Sequence, residues 1–213
     1  MQKRPLVIAI YEPRWFMKVL EVARRRNLLF YHYYSPQEVP YGSVVYTDYE
    51  PIARELVIRS DVEVVYDPVR SCRVFEKAIM TSSLKEKYDG VVVGVDPGLL
   101  PSYVVVGDHE LLLYGEGIKS LVKDIEYVLN CVHFDKITIR VGTGPRSGDI
   151  IVYLKNRYKV PIELVNEFCT TPSSNRINEV TYLSKRLKGV KPFRYKDVYA
   201  AYRIALTSGI EVL

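Results

Sequence analysis

Apolar positions in the first 88 residues alternate between two rhythms. Short runs rich in β-branched and aromatic residues, "PLVIAIY" (5–11), "LLFYHYY" (28–34), "GSVVYTD" (42–48) and "VEVVYDP" (62–68), read as strands. Between them "EPRWFMKVLEVARRRN" (12–27), "YEPIARELVIRS" (49–60) and "SCRVFEKAIMTSSLKEKY" (71–88) read as helices, the first with Trp15, Val19, Val22 and Ala23 at helical spacing. Strands alternating with helices of this length predict a parallel sheet with helices on its faces.

The rhythm changes at Asp89. "DGVVVGVDPG" (89–98), "SYVVVGD" (102–108) and "ELLLYGEG" (110–117) follow one another too closely for crossovers, which predicts an antiparallel three-strand meander. An amphipathic helix (118–134), a strand (136–144), a helix (147–158), a strand (161–168) and two helices (176–188 and 195–208) complete the chain. The resulting fold class is α/β, with a smaller N-terminal parallel unit over 1–88 and a mixed sheet over 89–213. No Gly- or Ser-rich linker marks the boundary.

Composition narrows the function classes. Apolar residues make up 48% of the 213, enough for a buried core, and disorder is not expected. No apolar run reaches the roughly 18 residues of a membrane span, and the basic start reads as a first strand rather than a signal peptide. Cys72, Cys131 and Cys169 show no CxxC spacing, so the expectation is free thiols in a reducing cytoplasm, with neither a disulfide framework nor a zinc site. Net charge is +5, which permits nucleic-acid binding without requiring it. The excess is uneven: "KRLKGVKPFRYK" holds six cations (Lys185, Arg186, Lys188, Lys191, Arg194 and Lys196) and no acid. A charge run of this kind is either a solvated helix end or an electrostatic path for phosphates.

No GxGxxG or GxxxxGK[ST] follows any strand, so no nucleotide loop is read in the N-terminal unit. Tyr11, Asp48 and Asp67 stand near strand ends and read as helix caps or turn residues, with ligand contact the less common alternative.

The C-terminal unit carries a family resemblance in three segments. "VVVGVDPG" resembles the first strand of RuvC and YqgF proteins, "IELVNEFCTTPSS" the YqgF strand that ends in acidic residues before a Thr pair, and "KDVYAAYRIALTSG" the closing helix of both. Asn166 and Phe168 stand where YqgF proteins carry an acid and an arginine. The resemblance implies an RNase H-like fold over roughly 89–210. It also implies a metal-dependent nuclease acting on structured DNA or RNA, with Asp96, Glu167 and Asp197 holding Mg²⁺ or Mn²⁺ and a homodimer by analogy. Simple chemistry agrees: three converging carboxylates repel one another unless a cation lies between them, and hard oxygen ligands suit these ions. Each acid also has an ordinary role open to it. Asp96 suits an Asp-Pro-Gly turn, Glu167 an ion pair, and Asp197 the first turn of a helix. The alternative at the level of function is a catalytically inactive nucleic-acid-binding protein on the same fold.

Around that site, "VGTGPRSGD" leaves a strand and opens a helix, so its amides and Arg146 could meet a phosphate. Thr170 could do the same or cap the next helix. Asp149 reads as a cap, His109 as an idle hairpin residue and His32 as a packing residue.

Overall fold

The structure is a computed structural model that describes residues 3–166 and 192–212, with side chains from 197 onward in the second stretch. It separates into two compact units: residues 1–88 with Tyr127–His133, and residues 89–126 with 134–213.

The first unit is built on four parallel strands, β1 (Leu6–Ala9), β2 (Tyr31–His32), β3 (Val44–Thr47) and β4 (Glu63–Tyr66), in the order β2-β1-β3-β4. Strand alternation sends Leu6, Ile8, Val44 and Tyr46 to one face, where Trp15 and Val19 of α1 (Pro13–Arg25) and Phe75 and Ile79 of α3 (Cys72–Ser82) bury them. Val7, Ala9 and Val45 face the opposite way and pack with Leu56 of α2 (Glu50–Leu56). The unit is therefore doubly wound. β2 is shorter than the apolar run 28–34 predicts, because Leu28 and Phe30 pack into the core from irregular backbone, leaving an edge strand of two exposed residues. Helix α3 stops at Ser82, not Tyr88. Leu84 enters the left-handed region (φ 57°) and the Lys85 amide donates back to the Met80 carbonyl, a closure that satisfies the last turn.

Two features lock this unit. Arg26 and Glu76, both buried, form an ion pair; Arg26 also donates to Tyr88 Oη (3.0 Å), and Tyr127 Oη donates to Glu76 Oε1 (2.6 Å). Burial works against the Arg26 charge, but the Glu76 carboxylate outweighs it and holds the guanidinium pKa above its usual value. The second feature corrects the cysteine reading: Cys72 and Cys131 form a disulfide across 59 residues, with Cα atoms 5.3 Å apart. One cysteine begins α3 and the other ends α4 (Ile118–Cys131), so only tertiary packing brings them together and spacing in the sequence carries no sign of it. Disulfides belong to oxidising compartments and to the interiors of hyperthermophiles, so the thiol argument for a reducing cytoplasm loses its premise. No helix among the described residues is long and apolar enough to cross a membrane.

The second unit contains a six-stranded mixed sheet: β5 (Tyr88–Asp96), β6 (Ser102–Gly107), β7 (Glu110–Glu116), β8 (Phe134–Gly142), β9 (Ile162–Val165) and β10 (Ile210–Glu211), in the order β10-β9-β8-β5-β6-β7. β5, β6 and β7 form the expected antiparallel meander, with Asp108 and His109 both at positive φ in the two-residue turn between β6 and β7. β8 and β9 are parallel. The short antiparallel β10 was not expected from the sequence; two exposed residues give no strand pattern. The last helix, α6 (Pro192–Leu206), lays Val198, Ala201, Tyr202 and Ala205 on the face bearing Val104 and Val106. On the opposite face of β6, Tyr103 Oη donates to buried Asp124 of α4 (2.6 Å). A central strand with a meander on one side and parallel strands on the other, crossed by a closing helix, is the RNase H-like α/β arrangement.

Candidate functional site

Asp96 is the last residue of β5, opposite Ser102 of β6, and half-buried. The turn reading holds as well: the Gly98 amide donates to the Asp96 carbonyl (3.0 Å), so Pro97 and Gly98 bend the chain at once. A Cβ built on Gly144 would come within 2.7 Å of Pro97 Cγ. The loop after β8 therefore lies against the loop after β5, and both strands end at one sheet edge. β9 is parallel to β8, with Gly142 beside Val165, so it ends there too. Two strand spacings, about 10 Å, separate the end of β5 from the end of β9.

Gly94 explains how α6 reaches this edge. A Cβ at Gly94 would lie 2.3 Å from the Ala201 carbonyl oxygen and 2.7 Å from Ala205 Cβ, so the helix rests directly on the bare backbone of β5. Asp96 is two residues further along the strand, on the same face as Gly94. Asp197 precedes Ala201 by four residues, on the same side of the helix, and is exposed. Asp96 thus lies about 7 Å along the strand from Gly94, and Asp197 lies about 6 Å along the helix from Ala201 and about 12 Å from Ala205, the two residues that rest on Gly94.

Glu167 lies outside the described residues, two positions after the end of β9. Thr170, Lys185, Arg186, Lys188 and Lys191 lie outside them too, while Arg194 and Lys196 fall in the first turns of α6, where side chains are not described. Among the described residues no cluster of three His, Cys, Asp or Glu side chains is placed to hold a metal ion. The donor chemistry fits a hard cation in kind, since Asp96 and Asp197 supply only carboxylate oxygen.

Arg146 is the N-cap of α5 (Ser147–Arg157) and its side chain makes no capping bond; Asp149 sits in the first turn rather than at the cap. Both line a cavity of about 340 Å³ together with the loop that follows Asp96. Sequence reasoning found Arg146 but missed the cavity, whose other wall is the exposed pair Leu99 and Leu100. Their signal was an unexplained "LL" directly after a turn.

The strand-end acids of the first unit are structural. Asp48 accepts from the Tyr11 amide (2.6 Å), the Glu12 amide (3.2 Å) and Arg70 Nε (2.9 Å). Asp67 accepts from Tyr46 Oη (2.6 Å) and from the amides of Arg70 (2.9 Å) and Ser71 (2.7 Å). His32 sits edge-on to Phe30 (5.2 Å) on the exposed strand, and His109 is exposed in its hairpin.

No family profile matches the chain, and no curated protein matches it. Among solved structures it is similar to Marinitoga piezophila Argonaute, crystallised in complex with a 5′-OH guide RNA. The match has 11% identity, a TM-score of 0.30 and coverage of 76% of this chain. The chain spans 39% of that Argonaute chain, well under half its length.

Proposed function

We propose that the protein is a metal-dependent nuclease that hydrolyses phosphodiester bonds in structured DNA or RNA, in the manner of the YqgF and RuvC proteins its C-terminal unit resembles. The observation that carries this reading is the packing of α6 on the bare backbone of β5 at Gly94; it supports a site shared by Asp96, two residues along the strand, and Asp197, one turn before Ala201. Asp96, Glu167 and Asp197 would hold Mg²⁺ or Mn²⁺, and such ions supply an activated water and stabilise the leaving oxygen. The chain's own part is to fix the carboxylates on a strand end and a helix, elements that hold their geometry better than loops. Arg146 and the basic segment 185–196 would draw the phosphate backbone toward that edge. A homodimer belongs to the same reading by resemblance.

The test is cleavage of a labelled panel (four-way junction, duplex, single strand, RNA–DNA hybrid) in Mg²⁺ or Mn²⁺, beside Asp96→Asn and Asp197→Asn. Metal-dependent cutting that both substitutions abolish is the expected result. Cutting that survives Asp96→Asn sinks the assignment of the site. Binding without cutting by the wild type turns the protein into a nucleic-acid-binding module on this fold.

A further inference from the structure

The cavity beside Asp96 has a makeup that metal-assisted hydrolysis alone does not call for. Its volume is about 340 Å³, within the range of small-molecule pockets. Leu99, Leu100, Ile118, Ile150 and Tyr153 give it apolar and aromatic walls. The remaining chemistry is one donor-only guanidinium, Arg146, and one acceptor-only carboxylate, Asp149. Leu99 is 90% exposed, Leu100 61% and Tyr153 43%, so these walls are open to solvent rather than packed into the core. Their exposed faces are available to a ligand that enters the cavity.

We infer that this cavity receives an unstacked nucleobase of the substrate, so that the protein selects nucleic acid with an unpaired nucleotide at the reactive position. This rests on the nuclease reading and specifies its substrate. Three observations favour a base over another occupant. The walls offer apolar area and one aromatic ring, Tyr153, the kind of surface on which bases stack irrespective of sequence. Arg146 and Asp149 together match the mixed donor and acceptor edge that a base exposes once it leaves its pair, whereas an aliphatic side chain would leave both without use. And the lining begins at Gly98, two residues after Asp96, on the loop that the Asp96–Gly98 hydrogen bond folds back. A strand whose base enters here therefore carries its phosphates past the end of β5. A bulge, a flap or the open centre of a junction supplies such a base cheaply, because the unstacking cost is already met.

The experiment is fluorescence anisotropy with two labelled duplexes, one fully paired and one with a single-nucleotide bulge, in Ca²⁺. The wild type is compared with Leu100→Asp and Tyr153→Ala, each checked for native circular dichroism. Both positions are partly exposed, so at least one variant folds. The wild type is expected to bind the bulged duplex about 10-fold more tightly, the scale of one stacked base. The variants are expected to bind both duplexes at the affinity of the paired one. Equal wild-type affinity for the two duplexes overturns the base pocket and leaves the nuclease reading standing. A preference that persists in both variants places the selectivity elsewhere and overturns it too. Absence of binding to either duplex removes the nucleic-acid reading, and the pocket inference with it.

Discussion

Gly94→Ala is the sharpest test of how the fold carries the site. The added methyl would sit 2.3 Å from the Ala201 carbonyl oxygen and 2.7 Å from both the Ala205 amide nitrogen and Ala205 Cβ. Ordinary contact needs about 3.4 Å, so α6 has to rise from β5 by about 1 Å, because all three obstacles are backbone or a short side chain with no rotamer to escape into. Overpacking of this sort costs about 1–3 kcal/mol. The helix is pinned from below as well, since Arg140 donates to the Ala205 carbonyl (2.7 Å) and accepts no such shift without lengthening that bond. Urea unfolding should show a lower midpoint at unchanged slope. The functional consequence is larger. On the proposed nuclease reading, a 1 Å misplacement of Asp197 relative to Asp96 should lower cleavage about 100-fold, more than the loss of folded protein explains. A Gly94→Ala protein with wild-type stability and activity would falsify the account of α6 as the element that brings the two aspartates together. A destabilised protein with full activity would leave the packing argument intact and detach it from catalysis.

Removing one partner of the buried ion pair by Glu76→Ala should cost about 3–5 kcal/mol, because Arg26 stays charged and buried; a change under about 1 kcal/mol in chemical denaturation would contradict the pairing. The disulfide closes 59 residues, so reduction or Cys72→Ser should lower stability by about 4 kcal/mol on the chain-entropy account. Thiol titration of the unfolded, unreduced chain should find Cys169 alone, and three reactive thiols would refute the Cys72–Cys131 bond. Hydrogen bonds from Arg59 hold the Asp61 pKa down to about 2, below its unfolded value near 3.9. The unfolded chain therefore binds the proton first, and the stabilisation is present above about pH 4 and lost as pH falls toward 2. The midpoint difference between wild type and Asp61→Asn should shrink across that window; a constant difference would show that the Arg59 contact is not electrostatic.

The parts legible in the sequence were those fixed by local pattern. Alternation placed the first unit's parallel strands and the meander, and the Asp-Pro-Gly signal located the end of β5. What escaped depends on contacts between distant residues. Nothing near Cys72 announces Cys131, and nothing in "VVVGVD" says that Gly94 is bare so that a helix a hundred residues later can lie on it. Leu99 and Leu100 carried no signal of a cavity wall, because exposure is not a property of two letters. β10 is too short for periodicity to register, and the early stop of α3 turned on one left-handed residue, Leu84, whose side chain gives no warning.

The first unit does not close on itself in sequence: its last seven residues, Tyr127–His133, arrive after the whole meander has been made. They carry Tyr127, which completes the Arg26–Glu76 cluster, and Cys131, which closes the disulfide. During synthesis the usual N-terminal-first order is therefore unavailable. A nascent chain stopped at residue 88 holds four strands and three helices with a buried Glu76 lacking its phenol and a cysteine lacking its mate. The ribosome has to release β5, β6, β7 and the whole of α4 before the first unit can finish. Its maturation waits on the segment that begins the second, so a gene truncated at the apparent boundary should yield an unfinished N-terminal fragment rather than an independent domain.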